Sequence, residues 1–168
     1  MITETQPSFA REFEKCKPDQ IITITCVDYR EHAREGFLFT SAGNVVNKYL
    51  VDDLHLILPG KKMLLLRGHT DCAKSKKEVP QMIGESSESY HKRVEERTMN
   101  RLWEQARVLL RDEEIRSGVS SGLKFCAAML ETHSGQVRYF EAESERLVKN
   151  VLEASNIGDL KFPELVAA

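Results

Sequence analysis

The chain has 168 residues, 41% hydrophobic and 30% charged, which suits a single soluble domain with a sizeable core. A formal charge of -2 and a pI near 6.2 argue against a basic field for nucleic acid or an anionic membrane. No apolar run approaches the roughly 20 residues of a membrane span, and the opening MITETQPSFAREFEK lacks the basic start and apolar core of a secretory signal, so a cytoplasmic protein is expected.

Residues 8 to about 17 predict a short amphipathic helix ended by Pro18, with 1–18 forming an N-terminal helical arm. QIITITC, rich in β-branched residues, predicts an interior strand, and GFLFTSAG a second strand that runs into a glycine turn. NVVNKYLVDDLHLILPG carries Val46, Leu50, Leu54 and Leu58 at helical spacing and stops at Pro59-Gly60. KKMLLLRG is apolar throughout, as a strand covered on both faces should be. The polar stretch 75–96, broken at Pro80 and Gly84, is expected to cross the surface. A long helix over roughly 86–112 then turns Val94, Leu102, Ala106 and Leu109 inward. LKFCAAMLE and QVRYFEA read as strands joined by a hairpin-like THSGQ, and ESERLVKNVLEAS as a closing helix. The expected architecture is α/β. A mostly parallel central sheet, about four parallel strands plus one antiparallel edge strand, is flanked by helices in a single domain over 1–168.

The four cysteines, Cys16, Cys26, Cys72 and Cys126, have no export signal beside them and are read as reduced thiols. Two of them sit where apolar strands end. The first strand stops at Cys26, with Asp28 and Arg30 at alternate positions after it, and the third stops at His69, with Cys72 three residues on. In an open parallel sheet, ligands collect beyond the carboxyl ends of the strands. If these two strands are neighbours, two thiolates and an imidazole converge as a Cys₂His zinc site with its fourth position free for water. Asp28 is close enough either to bind the metal or to accept a hydrogen bond from metal-bound water. Arg30 can hold Asp28 with a forked pair of hydrogen bonds and so keep it off the metal. Each piece alone is weak, since a strand-end cysteine is more often packing than ligand, and an Asp-Arg pair is usually a loop ion pair. Cys26 and Cys72 as a metal-free redox pair is the other reading. The pairing of both clusters at the ends of apolar strands that can be adjacent favours zinc.

At these positions the chain resembles the β-class carbonic anhydrases. Their CxDxR motif is matched by Cys26-Val27-Asp28-Tyr29-Arg30 and their HxxC motif by His69-Thr70-Asp71-Cys72. Of their R-N-A-G-N-type segment, Ala42, Gly43 and Asn44 are kept, while Thr40-Ser41 stand where Arg-Asn is common and Ala73 where a glycine usually follows the second cysteine. LWEQARVLLRDEEIRSGV and GLKFCAAMLETHSGQVRYF are similar to that family's long helix and final strands, so the likeness spans roughly 15–141. The resemblance implies reversible hydration of carbon dioxide to bicarbonate by zinc-bound hydroxide. Cys26, His69 and Cys72 would bind zinc, and Asp28 with Arg30 would form a gating and orienting dyad. It also implies a homodimer or homotetramer, with the N-terminal helix packed on the partner. Two alternatives are a hydrolase of carbon disulfide or carbonyl sulfide on the same fold and a non-catalytic zinc module with Asp28 as a permanent ligand. His32 is a candidate proton relay or an exposed side chain. His55 and His91 are assigned to surface or packing, His133 lies in the THSG turn with no partner in view, and Cys126 is assigned to the core.

Overall fold

Runs of β-branched residues and leucine build the sheet, and the helices follow from where polar residues interrupt them. The computed structural model describes residues 8–27 and 36–154. Its elements in chain order are α1 (Phe9–Lys15), β1 (Ile21–Cys26), β2 (Phe37–Ser41), α2 (Lys48–Ile57), β3 (Met63–His69), α3 (Ala73–Glu78), α4 (Ser87–Arg111), α5 (Glu113–Ser120), β4 (Lys124–Leu130), β5 (Val137–Tyr139) and α6 (Glu141–Glu153). The sheet order is β2-β1-β3-β4-β5. The first three pairings are parallel, and β4 with β5 is antiparallel. This is the expected four-plus-one sheet.

Every residue of β1 and β3 is buried, as an interior parallel strand requires. Alternate side chains go to opposite faces. Ile22, Ile24, Leu64 and Leu66 join Leu50 and Leu54 of α2, Leu102, Ala106 and Leu109 of α4, and Leu147 and Val151 of α6 in the larger core. Ile21, Met63, Leu65, Cys126 and Ala128 face the other way, where Phe9 and Phe13 cover them. Helix α1 therefore seats on its own chain's sheet. The rings of Phe9 and Phe13 lie 6.0 and 6.4 Å from that of Tyr139. The Glu141 carboxylate accepts hydrogen bonds from the Phe9 and Ala10 amides at 3.0 and 3.2 Å, which satisfies donors that a helix start leaves open.

Three local features differ from the sequence expectation. The stretch 75–96 is not all surface crossing: its start is helical in α3, and Ser75 is fully buried beneath α4. The long helix ends at Asp112, whose carboxylate caps a new helix, α5, by accepting from Glu114 and Ile115 amides at 3.1 Å each. That helix has one fully buried anchor, Ile115, and contains Gly118, so hydrophobic spacing alone does not reveal it. Helix α2 begins at Lys48 rather than at residue 44, because the side chain of Asn47 caps it and the residues before it are extended.

The seating of α1 is testable. Phe13→Ala removes a ring that is 6% exposed and should lower the unfolding free energy by about 3 kcal/mol in urea titration. A loss well below 1 kcal/mol would mean that α1 does not hold this position in solution.

Candidate metal centre

β1 and β3 are neighbours, with Thr25 in register with Arg67, so Cys26 and His69 leave the sheet at the same carboxyl edge. Beyond β3 the chain turns back at once. The Thr70 amide donates to the Leu130 carbonyl at 2.9 Å, and the Thr70 hydroxyl accepts from the Thr132 amide at 3.0 Å, tying the turn to the end of β4. Asp71 adopts a left-handed φ of 62°, a conformation that Asp tolerates better than most residues. Its carboxylate pairs with Lys76. The turn brings Cys72 to the start of α3.

The Sγ atoms of Cys26 and Cys72 and a ring nitrogen of His69 thereby lie within 4.8 Å of one another. All three residues are buried, at 7%, 2% and 1% exposure. Both cysteines are free thiols. A tetrahedral ion with metal–sulfur bonds of about 2.3 Å and metal–nitrogen bonds of about 2.0–2.1 Å sets its ligand atoms roughly 3.5–3.8 Å apart. The cluster thus needs little adjustment to close on a metal, and its two sulfurs and one imidazole suit a borderline-soft ion.

The surroundings prepare each donor. His69 Nδ1 lies 2.7 Å from the Thr70 carbonyl, which can only accept, so Nδ1 carries the proton and Nε2 the lone pair. Cys26 Sγ accepts from the Gly43 amide at 3.2 Å. That amide belongs to the turn Ala42–Asn44, where Gly43 and Asn44 have φ of 68° and 59°. Gly43 is required there. A Cβ would fall 2.5 Å from Lys74 Cδ and 2.8 Å from Arg101 Nη1. The Asn44 side chain donates to the Arg67 carbonyl at 2.7 Å and fastens the turn to β3. At Cys72, the hydrogen bond with Cys26 is the main influence that pulls the thiol far below its usual range. His69 and the Ser75 amide add to it and outweigh the opposing effect of burial.

The structure thus brings together the three expected ligands. Asp28 and Arg30, the expected dyad, and His32 lie outside the described residues. Of the residues outside the cluster, Cys126 is fully buried, as expected of a core residue. His55 joins α2 to the start of α5 through Asp112 at 2.8 Å, while His91 and His133 are exposed. Ala73 is exposed at the start of α3, so its methyl group does not crowd the helix start. Sequence reading identified the Ala42-Gly43-Asn44 triplet through family likeness alone and missed Ser75 and Arg101. Their places depend on α3 packing under α4.

Searches against protein-family models and curated protein sequences find no match. Solved structures do match. The β-carbonic anhydrase CafA of the fungal pathogen Aspergillus fumigatus superposes with a TM-score of 0.62 at 17% identity over 86% of each chain. One from the filamentous ascomycete Sordaria macrospora, described as tetrameric, gives 0.59 at 16% identity over 79% of this chain and 85% of that one. The Coccomyxa enzyme in complex with acetazolamide gives 0.58 at 12% identity over 79% and 76%. The chain has the β-class carbonic anhydrase fold.

Burial raises the Cys126 thiol to about 12, whereas an unfolded cysteine ionises near pH 8.5 (order of magnitude). The fold therefore keeps this thiol neutral across that interval, and stability should decline as pH rises through it. In the native protein at pH 8, iodoacetamide should modify half-buried Cys16 and leave Cys126 untouched until denaturant is added. Rapid native labelling of Cys126 in peptide mass maps would contradict its place in the core.

Proposed function

We propose that the protein is a zinc enzyme that reversibly hydrates carbon dioxide to bicarbonate. The observation that carries this reading is the meeting of two sulfurs and an imidazole within 4.8 Å on this fold. Cys26, His69 and Cys72 are the residues that hold the ion, and the donor chemistry suits zinc. Zinc bound there supplies a Lewis acid that brings the pKa of a water toward about 7. Three protein ligands leave one position open, the arrangement of catalytic rather than structural sites.

The remaining work falls to Asp28 and Arg30. Asp28 follows Cys26 by two residues and accepts a hydrogen bond from the attacking water, aiming its lone pair at the carbon. Arg30 holds Asp28 ionised through a forked pair of hydrogen bonds, which keeps the carboxylate from becoming a fourth ligand. The water oxygen adds to carbon, one C=O electron pair moves onto oxygen, bicarbonate leaves, and the proton passes to solvent.

The assembly is a homodimer or homotetramer. The tetrameric description of a structural neighbour supports this, and so does edge strand β2, which exposes Phe37 and Leu38 at 40% and 46%. A cytoplasmic location fits the four free thiols. No helix among the described residues is long and apolar enough to cross a membrane.

Purified protein should carry about one zinc per chain, and both Cys26→Ser and His69→Ala should lose it. Asp28→Ala and Arg30→Ala should retain zinc while stopped-flow carbon dioxide hydration falls by about 10²-fold or more. Carbonyl sulfide and carbon disulfide run alongside separate the substrates on the shared fold. A zinc-loaded wild type inert toward all three would reject the enzyme and leave the zinc module with Asp28 as its fourth ligand.

A further inference from the structure

Arg101 lies in the middle of α4, and its side chain is 3% exposed. A guanidinium is seldom buried this deeply unless its surroundings use it. Nη1 donates to Ser75 Oγ at 3.1 Å, and Nη2 pairs with Glu78. Ser75 Oγ in turn lies 2.6 Å from Thr98 Oγ1, which donates to the Val94 carbonyl at 2.9 Å. The proton order follows from this. Thr98 gives to Val94, Ser75 gives to Thr98, and Ser75 accepts from Arg101. The same Nη1 fills the space that a side chain on Gly43 would need, 2.8 Å from the Cβ position.

One guanidinium thus packs beside Gly43, where it occupies the space a Cβ would take and where the Gly43 amide donates to Cys26 Sγ, and it donates to Ser75, which stands three residues beyond Cys72. Glu78, shared with Arg97 at 2.6 Å, is 33% exposed on the outer side. The pair is therefore oriented, with its carboxylate toward solvent and its cation in the interior.

We propose that Arg101 is a positioning residue of the metal centre, locking the Gly43 turn and the α3 start so that both cysteine sulfurs face one ion. This rests on the reading of Cys26, His69 and Cys72 as zinc ligands. A side chain that merely tied α3 to α4 would need only Glu78. Contact with Gly43, on a different segment, is what couples the two thiol-bearing turns.

Zinc affinity, measured by chelator competition on the folded protein, tests the assignment. Arg101→Met should weaken zinc binding by about 10–100-fold, the usual effect of losing a residue that orients a ligand. Arg101→Lys should recover part of this, because an ammonium keeps the charge without the fork. Ser75→Ala should weaken binding in the same direction by less, and the double variant should be no weaker than Arg101→Met alone, since both act through one contact. In the cobalt-substituted protein, the thiolate-to-cobalt band should shift in Arg101→Met. A purely structural role would lower the melting temperature and leave affinity and band unchanged, which would overturn the proposal. Should Arg101→Met fail to fold, wild-type affinity in both Arg101→Lys and Ser75→Ala would overturn it equally. A wild type that binds no zinc at all would instead reject the underlying metal site.

Discussion

The parallel pairing of β1 with β3 is the constraint on which the site depends. With Thr25 opposite Arg67, the two strands end together, and Cys26 and His69 enter one space. A slip of one residue would send each side chain to the opposite face and separate the sulfur from the imidazole. The register is held by burial. Ile22, Ile24, Leu64 and Leu66 share one core with residues of α2, α4, α5 and α6, so a slip would place all of them wrongly at once. Specificity in the chemistry thus comes from packing far from it.

The third donor arrives by a different route. Cys72 is not on a strand; a left-handed residue at Asp71 and the Thr70–Thr132 tie reverse the chain within three residues of His69. Two tight turns, Ala42–Asn44 and Thr70–Cys72, therefore face each other across the strand ends. Both are strained in the sense that non-glycine residues adopt positive φ, and both are fastened to neighbouring strands by hydrogen bonds to carbonyl groups. Rigid scaffolding under short turns is how a fold holds ligand atoms to a few tenths of an ångström.

Electrostatics and sterics work in the same direction here. His69 with Nδ1 on the Thr70 carbonyl and Nε2 left for a ligand, a Cys72 thiol pulled low by Cys26, and a backbone amide on Cys26 all favour the metal-binding forms. Cys126 shows the contrast. It is on the next strand to His69, but burial, with the Glu141 and Glu143 carboxylates adding to it, raises its thiol to about 12 and leaves it as packing. Environment rather than residue type separates ligand from core.

Much of this was legible in the chain itself. Alternation and apolar runs identified all five strands, the long helix and its inward residues, because burial imposes a period that a sequence displays directly. CxDxR and HxxC at the ends of two such runs marked Cys26, His69 and Cys72, since the two motifs together supply a ligand set that neither gives alone. Tertiary structure alone decided that those ends are adjacent, that Gly43 and Ser75 attend the sulfurs, and that Arg101 reaches both. It also decided that α1 lies on its own sheet and that α5 is a separate helix. These outcomes depend on contacts between residues tens of positions apart, where a polar side chain such as Arg101 looks in sequence like any other on a solvated helix. Local periodicity records which face is buried; what that face meets is set only when the helices pack.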